Sequence, residues 1–332
     1  MQQSHAQIKD TLSSSYLPNN TTSNYKILYK TTTAKLLTLT PKKFQSQVRK
    51  TINNSKLLIP QESRWKYTNM NSSAPTIKGL IKVHEPSQPI RPVVNWRNVP
   101  AYNLAKLFSQ KIRQIDPLPN THNVENTRDL IEKLKHTLIS PHFRFASLDI
   151  TNLYTNIPIK ETRDILLDKL EQNNTDPKQT QEQMKRFDTI TSQNCYTHNG
   201  KRQIQNDGLA MGAPSSGLIS EIFLQQMEHV HLARLSTKHK IIDYFRYVDD
   251  ILLIFDSNHT DIQTILNDFN AIHLKLKFTA EIETDNKINY LDVTIHTEPP
   301  QTGRFPYTGN LRSPTRSYRT RLTIPPNINS QQ

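Results

Sequence analysis

The chain has 332 residues, 35% of them apolar, and carries 42 Lys and Arg against 29 Asp and Glu, a formal net charge of +13. That length suits one large domain or two small ones, and the basic excess favours a polyanionic partner, of which nucleic acid is the commonest. The single cysteine, Cys195, excludes an internal disulfide and a Cys-x-x-Cys zinc clasp; the 12 histidines lack HExxH spacing; and the longest apolar run, Ile251 to Phe255, is too short to span a membrane.

Residues 1 to 40 are rich in Ser, Thr, Asn, Gln and Lys, and read as a polar, disordered tail with little to bury. Its first residues lack the apolar core of a secretion signal, so an intracellular protein is expected. From Pro41 apolar residues return, and Phe44, Val48 and Ile52 fall on one helical face. Pro75, Pro86, Pro89, Pro92 and Pro100 then punctuate a stretch that reads as strands and turns with few helices.

Phe143 to Ile150 reads as a strand whose end carries Asp149. Glu161 to Glu171 is a predicted helix with Ile165, Leu166 and Leu170 inward. Ser216 to Leu235 is a second, longer one, with Ser216 as its N-cap after Pro214 and with Ile219, Phe223 and Val230 on one face. Tyr244 to Phe255 has two apolar arms around Asp249-Asp250, the pattern of a hairpin with acids at its tip. Asp261 to Ile272 is amphipathic, with Ile262, Ile265, Leu266, Phe269 and Ile272 on one stripe. Leu276, Phe278, Ala280 and Ile282 then alternate with Lys277, Thr279, Glu281 and Glu283, and a turn at Thr284 to Lys287 leads into a strand over Ile288 to Ile295. This order predicts an α+β fold of the split βαβ kind, a sheet backed by helices on one face.

The sharpest chemical signal is Tyr247-Val248-Asp249-Asp250. Two adjacent carboxylates at a tight turn repel each other and gain little from packing. A divalent cation held between them and a further acid reverses that balance, and Mg2+ prefers carboxylates, water and phosphate oxygens. Asp149 ends another apolar strand and is the candidate third acid. A solvated Asp-Asp turn is the alternative, and the wedging of the pair between apolar arms speaks against it.

Taken together, the motifs resemble the reverse transcriptase domain of retroelements, specifically Penelope-like elements, whose catalytic core resembles that of telomerase. The likeness runs from about Thr76 to His296, with the motifs in the family's order. Gly79-Leu80-Ile81-Lys82-Val83-His84 and Gln88-Pro89-Ile90-Arg91-Pro92-Val93 resemble the finger motifs, although the family often has Pro where Ile81 stands. Lys82 and Arg91 are thereby the candidates for holding the incoming triphosphate, and a forked guanidinium matches phosphate oxygens well. Phe145 to Ile157 resembles motif A, in which Asp149 binds metal and Tyr154 is the bulky gate beneath the sugar that admits dNTPs. Gly208 to Ser216 resembles motif B, with Gly212 as the family's glycine and Gln205 upstream as a nucleotide-positioning candidate. Leu276 to Glu283 and Asn289-Tyr290-Leu291-Asp292-Val293 resemble motif D and the primer-contacting strand after it. Lys277 is the candidate proton donor to the triphosphate, with Lys275 equally placed by sequence.

The resemblance implies a right-hand polymerase fold with fingers and an antiparallel palm. It also implies RNA-directed DNA polymerisation and DNA integration, with two Mg2+ ions, or Mn2+, on Asp149, Asp249 and Asp250. The implied partners are an RNA template, a DNA primer and dNTPs, with no membrane, and the implied compartment is the nucleus. The expected organisation is the tail over 1–40, a helical extension over 41–75, fingers and palm over 76–297, and a truncated start of the thumb over 298–332. Leu311 to Thr315 and Ile324-Pro325-Pro326 resemble the family's next segment, with Ser313 where Lys is usual. A remnant that only binds nucleic acid, and an RNA polymerase of the same palm type, are the competing expectations; Tyr154 speaks against the second.

Overall fold

A computed structural model describes residues 41–81, 90–135, 137, 140–192, 195–198, 201–204, 207–298 and 319–323. The expected N-terminal tail, the candidates Lys82 and Gln205, and the segments Leu311 to Thr315 and Ile324 to Pro326 lie outside these residues. The elements are α1 (Pro41–Asn54), α2 (Arg64–Tyr67), β1 (Thr76–Ile81), β2 (Ile90–Asn95), α3 (Tyr102–Ile115), α4 (Thr127–Leu134), β3 (Phe143–Ile150), α5 (Leu153–Asn156), α6 (Ile159–Gln172), α7 (Pro177–Thr191), β4 (Cys195–His198), β5 (Lys201–Ile204), α8 (Ser216–His239), β6 (Ile241–Tyr247), β7 (Asp250–Asp256), α9 (Ile262–Asn270), β8 (Phe278–Ile282), β9 (Lys287–Tyr290), β10 (Val293–Glu298) and β11 (Arg319–Thr323). They fall into two compact units, Met1–Pro117 with Tyr154–Ser220, and Leu118–Leu153 with Glu221–Gln332. Among the described residues no helix is long and apolar enough to cross a membrane.

The first unit joins a helical cluster to a sheet of order β2-β1-β4-β5. Phe44, Val48 and Ile52 of α1 are buried, as their four-residue spacing predicts. Phe108 of α3 meets Phe187 of α7 edge-on, with ring centroids 6.0 Å apart. The α7 helix starts at Asp176, whose carboxylate accepts from the Lys178 and Gln179 amides, and Pro177 fills the first helical position. Neither α3 nor α7 is among the helices expected from the sequence. In α7 polar residues break the apolar stripe, and Gln183 and Arg186 are themselves buried.

The second unit is built on an antiparallel sheet of order β6-β7-β3-β8. Side chains alternate across it. On one face Phe145, Phe245, Leu252 and Ile254 form a core with Leu130 and Leu134 of α4 and with Ile288, Tyr290, Val293 and Ile295. On the other face Ile150 and Phe278 enclose a small space with Leu224, Leu232 and Leu235 of α8 and Phe269 of α9. The expected one-sided helical backing is therefore supplemented by α4 and a strand pair on the opposite face.

Three expectations within the elements need correction. Ile288 to Ile295 is not one strand: Leu291, at φ 52°, and Asp292 turn the chain between β9 and β10, which pair antiparallel from Tyr290↔Val293. Ser216 is the first residue inside α8 and not its cap, because the Ser215 carbonyl takes the first helical bond from the Ile219 amide at 3.0 Å, and the Ser216 hydroxyl donates to the Ala210 carbonyl at 2.7 Å. Val230 shares the angular position of Ile219 but is 54% exposed, whereas Leu224, Leu232 and Leu235 are buried. Which side of α8 is buried beyond Glu221 is decided by where the sheet lies.

Candidate active site

Asp149 is the penultimate residue of β3, and its direct antiparallel partner is Asp250, the first residue of β7. Asp250 also pairs with Tyr247 across the two-residue turn Val248-Asp249. The Ile150 amide donates to the Asp249 carbonyl at 3.0 Å. Ile150 and Asp249 thus form the hydrogen-bonded step of the ladder. Asp149 and Asp250 form the next, non-hydrogen-bonded step, whose Cα atoms lie about 4.5 Å apart with side chains on one face. The register therefore sets Asp149 directly opposite Asp250, with Asp249 next to it in the turn, at one end of two central strands, although Asp149 is about a hundred positions from the other two in the chain.

Asp149 is exposed, and Asp249 and Asp250 are half-buried, so all three are open to solutes from water. Among the described residues no three His, Cys, Asp or Glu side chains are already drawn into an ion cage. Like charges this close repel until a cation lies between them. A hard divalent ion takes only one or two carboxylates from a protein and completes its shell with water and phosphate. The donor set of Asp149, Asp249 and Asp250 fits that requirement in type and in placement on the backbone.

The turn itself is strained. Val248 has φ 58°, a left-handed conformation that a β-branched residue adopts at a cost of about 1–3 kcal/mol. Two side chains hold its backbone. The Arg246 guanidinium donates to the Val248 carbonyl at 3.1 Å, and the Tyr290 hydroxyl donates to the Asp250 carbonyl at 3.0 Å. Arg246 is 1% exposed and is gripped by Glu221 and Glu228 of α8 and by the Asn123 side-chain oxygen. Burial pushes the Glu221 carboxyl up, but hydrogen bonds from Arg246, Gln225 and Asn123 outweigh it and hold the group below the ordinary carboxylate range. Burial also works against the Arg246 charge, and the two carboxylates more than reverse it. The Tyr290 phenol is pushed up by burial first and by Asp250 second. Neither Arg246 nor Tyr290 was singled out from the sequence for this role. The available signal was an arginine inside an apolar strand, with two glutamates seven residues apart on the preceding sheet-facing helix.

The structure separates the two motif D lysines. Thr279 is the antiparallel partner of Asp149 on β8, and the Thr151 amide donates to the Lys277 carbonyl at 2.8 Å. Lys277 therefore stands two residues from Thr279, on the side of the sheet that carries Asp149 and Asp250. Lys275 belongs to the turn before it, with its amide bonded to His273 Nδ1. Both lysines are exposed.

In the first unit, Tyr154 lies in the short α5 and is half-buried, and its carbonyl accepts from the Leu209 amide. Two residues past Leu209, the Met211 carbonyl accepts from the Val94 amide of β2 at 2.8 Å. Gly212 follows with φ 108°, and a Cβ there would come within 2.4 Å of the Val94 carbonyl oxygen. Glycine is thus required by packing against β2 as well as by backbone conformation. Arg91 lies three residues earlier on that strand, opposite Leu80.

The antiparallel sheet with its mixed helical and strand covering, and the acids at the end of its central strands, define a right-hand polymerase fold. The reverse transcriptase (RNA-dependent DNA polymerase) family matches residues 83–289, well over half of the chain, and the chain belongs to that family. No curated protein matches it. Among solved structures, telomerase from Candida albicans in complex with a TWJ fragment of telomeric RNA aligns with a TM-score of 0.51 at 12% identity, over 69% of this chain and 46% of that one. The corresponding Candida tropicalis complex gives 0.49 at 11%, over 68% and 43%. The BmCPV RNA-dependent RNA polymerase at its elongation state gives 0.46 at 13%, over 81% and 26%. At such identities the likeness is one of fold, and the chain spans less than half the length of each of these proteins.

Proposed function

We propose that the chain is the RNA-directed DNA polymerase of a Penelope-like retroelement, transferring dNTPs onto a DNA primer 3′-OH along an RNA template. The observation that carries this reading is the register of Asp149 against Asp250, with Asp249 beside them. Asp149, Asp249 and Asp250 would hold two Mg2+ ions, or Mn2+. When bound, these acidify the primer hydroxyl and neutralise the charge of departing pyrophosphate. The primer 3′-oxygen bonds to the α-phosphorus as the bond to pyrophosphate breaks, a step that needs alignment and charge stabilisation more than a protein nucleophile.

The remaining candidates have distinct tasks. Arg91, with Lys82, grips the triphosphate; Lys277 gives a proton to the leaving pyrophosphate; and the Tyr154 ring excludes a ribose 2′-OH. Gly212 lets the backbone come close to the nucleotide, and Gln205 orients it. In this reading residues 41–75 are an extension, 76–297 form fingers and palm, and 298–332 begin the thumb. The basic surface tracks the template–primer backbone without reading its sequence. Integration of the DNA product would place the protein in the nucleus.

The test is primer extension on an RNA template with dNTPs and Mg2+, beside a binding assay. The wild-type chain extends the primer and prefers dNTPs to NTPs, and Asp249→Ala abolishes incorporation while melting as the wild type does. Robust extension by Asp249→Ala overturns the assignment, and wild-type binding without extension establishes a binding-only remnant instead.

A further inference from the structure

We infer that Arg246 is a positioning residue for the catalytic turn: its buried guanidinium ties the Val248 carbonyl to α8 and to the segment at Asn123, and so sets where Asp249 and Asp250 point. The inference rests on the reading of those two acids as catalytic. Every donor of the guanidinium is engaged. Nε bonds Glu228; one terminal nitrogen bonds Glu221 and the Val248 carbonyl; the other bonds Asn123, Glu221 and Glu228. The surrounding groups are themselves cross-braced. Gln225 donates to Glu221 and to Asn120, Asn123 donates to Glu221, and the Tyr244 hydroxyl donates to Glu228. The backbone joins in as well, since the Val124 amide donates to the Arg246 carbonyl and the Arg246 amide to the His122 carbonyl.

A network that only neutralised charge would need no bond to the turn. This one spends a guanidinium donor on the carbonyl of the single strained residue between the catalytic strand ends. A left-handed valine persists only where its surroundings over-determine it. Rotation of the Val248 peptide would carry the next residue, Asp249, with it. Tyr290 holds the far side of the turn through the Asp250 carbonyl, so the two side chains fix its entry and its exit.

Two variants of the full chain separate positioning from charge balance. Arg246→Met alone would strand two buried carboxylates, so it is combined with Glu221→Gln and Glu228→Gln, which remove that penalty. Arg246→Lys keeps the charge, but three donors on one nitrogen cannot span Glu221, Glu228, Asn123 and the Val248 carbonyl. Amide hydrogen exchange is followed without metal or nucleotide in the segment from Tyr244 to Ile251 and in β3. Losing the held carbonyl speeds exchange at the turn by roughly tenfold in both variants while β3 stays protected. In extension assays kcat falls and the KM for dNTP stays near the wild-type value. If one variant does not fold, the other decides. Turn exchange within about twofold of wild type overturns the inference, that being well below the loss of one hydrogen bond. Because exchange is read without catalysis, a wild-type chain that fails to extend a primer defeats the polymerase reading alone, and an unchanged turn defeats this one alone.

Discussion

The second unit contains two hairpin turns with nearly the same letters, Tyr247-Val248-Asp249-Asp250 and Tyr290-Leu291-Asp292-Val293. In each, a tyrosine ends the first strand and an aspartate sits second in a two-residue turn. In each, a bulky aliphatic takes the left-handed position, Val248 at φ 58° and Leu291 at φ 52°. What lies beside them differs. The first turn opens onto Asp149 across the β3–β7 register and rests on the Arg246 network. The second supports it from behind: Tyr290 hydrogen-bonds the Asp250 carbonyl, and Leu291 packs on the core. A turn sequence thus specifies a backbone shape, and the neighbouring strand decides what faces an aspartate held in that shape.

The largest test of this contrast exchanges carboxylate for amide at each turn. Asp250→Asn should lower incorporation about a thousandfold, the scale of losing several kcal/mol of transition-state charge stabilisation. Asp292→Asn, at an exposed position, should leave the rate within about twofold, the scatter of an ordinary surface change. Equal losses in both would erase the distinction.

Acid provides a finer test. The folded Glu221 carboxyl sits below its ordinary value of 4.5, so its contribution is fully present above pH 4.5 and is lost as the pH falls through the lower, folded value. Protection against exchange, taken relative to the intrinsic amide rate at each pH, should therefore fall at Tyr244 to Ile251 below pH 4.5, ahead of the segment from Ile288 to Thr294. Simultaneous loosening of both turns would show that Glu221 does not act locally.

The smallest effect calibrates the others. Asp261 caps α9 by accepting from the Thr264 amide, in the same unit but at neither turn. Asp261→Ala should cost about 1 kcal/mol in denaturant unfolding. Incorporation at saturating substrate should be unaltered; a fall in its rate would mean that general destabilisation reaches the site.

Much of the second unit was legible in the residues. The strand over Phe143–Ile150 and the acid-tipped hairpin read as apolar runs ending in acids, because central strands covered on both faces bury both sets of side chains, and the α9 stripe reads as a helix because one face lies against the core. The helices α3, α4 and α7 escaped that reading. In α7 the buried side includes Gln183 and Arg186, which no apolar pattern marks. The β9–β10 hairpin was read as one strand because its turn contains Leu291 and Asp292 with neither glycine nor asparagine. The tertiary surroundings stabilise a conformation that local preference disfavours.

By itself, then, the amino-acid order marked the candidates for chemistry: the Asp249-Asp250 pair, Asp149 at a strand end, Tyr154 after it, and a glycine at 212. The three acids follow from strand and turn patterns, and Tyr154 and Gly212 from the resemblance to the reverse transcriptase domain. Only the tertiary structure decided that Asp149 stands opposite Asp250, that Lys277 rather than Lys275 shares its face, and that Arg246 grips the turn. Such facts depend on strand register and on one helix laid across a sheet. They arise from pairings between residues tens to a hundred positions apart, which no local pattern encodes.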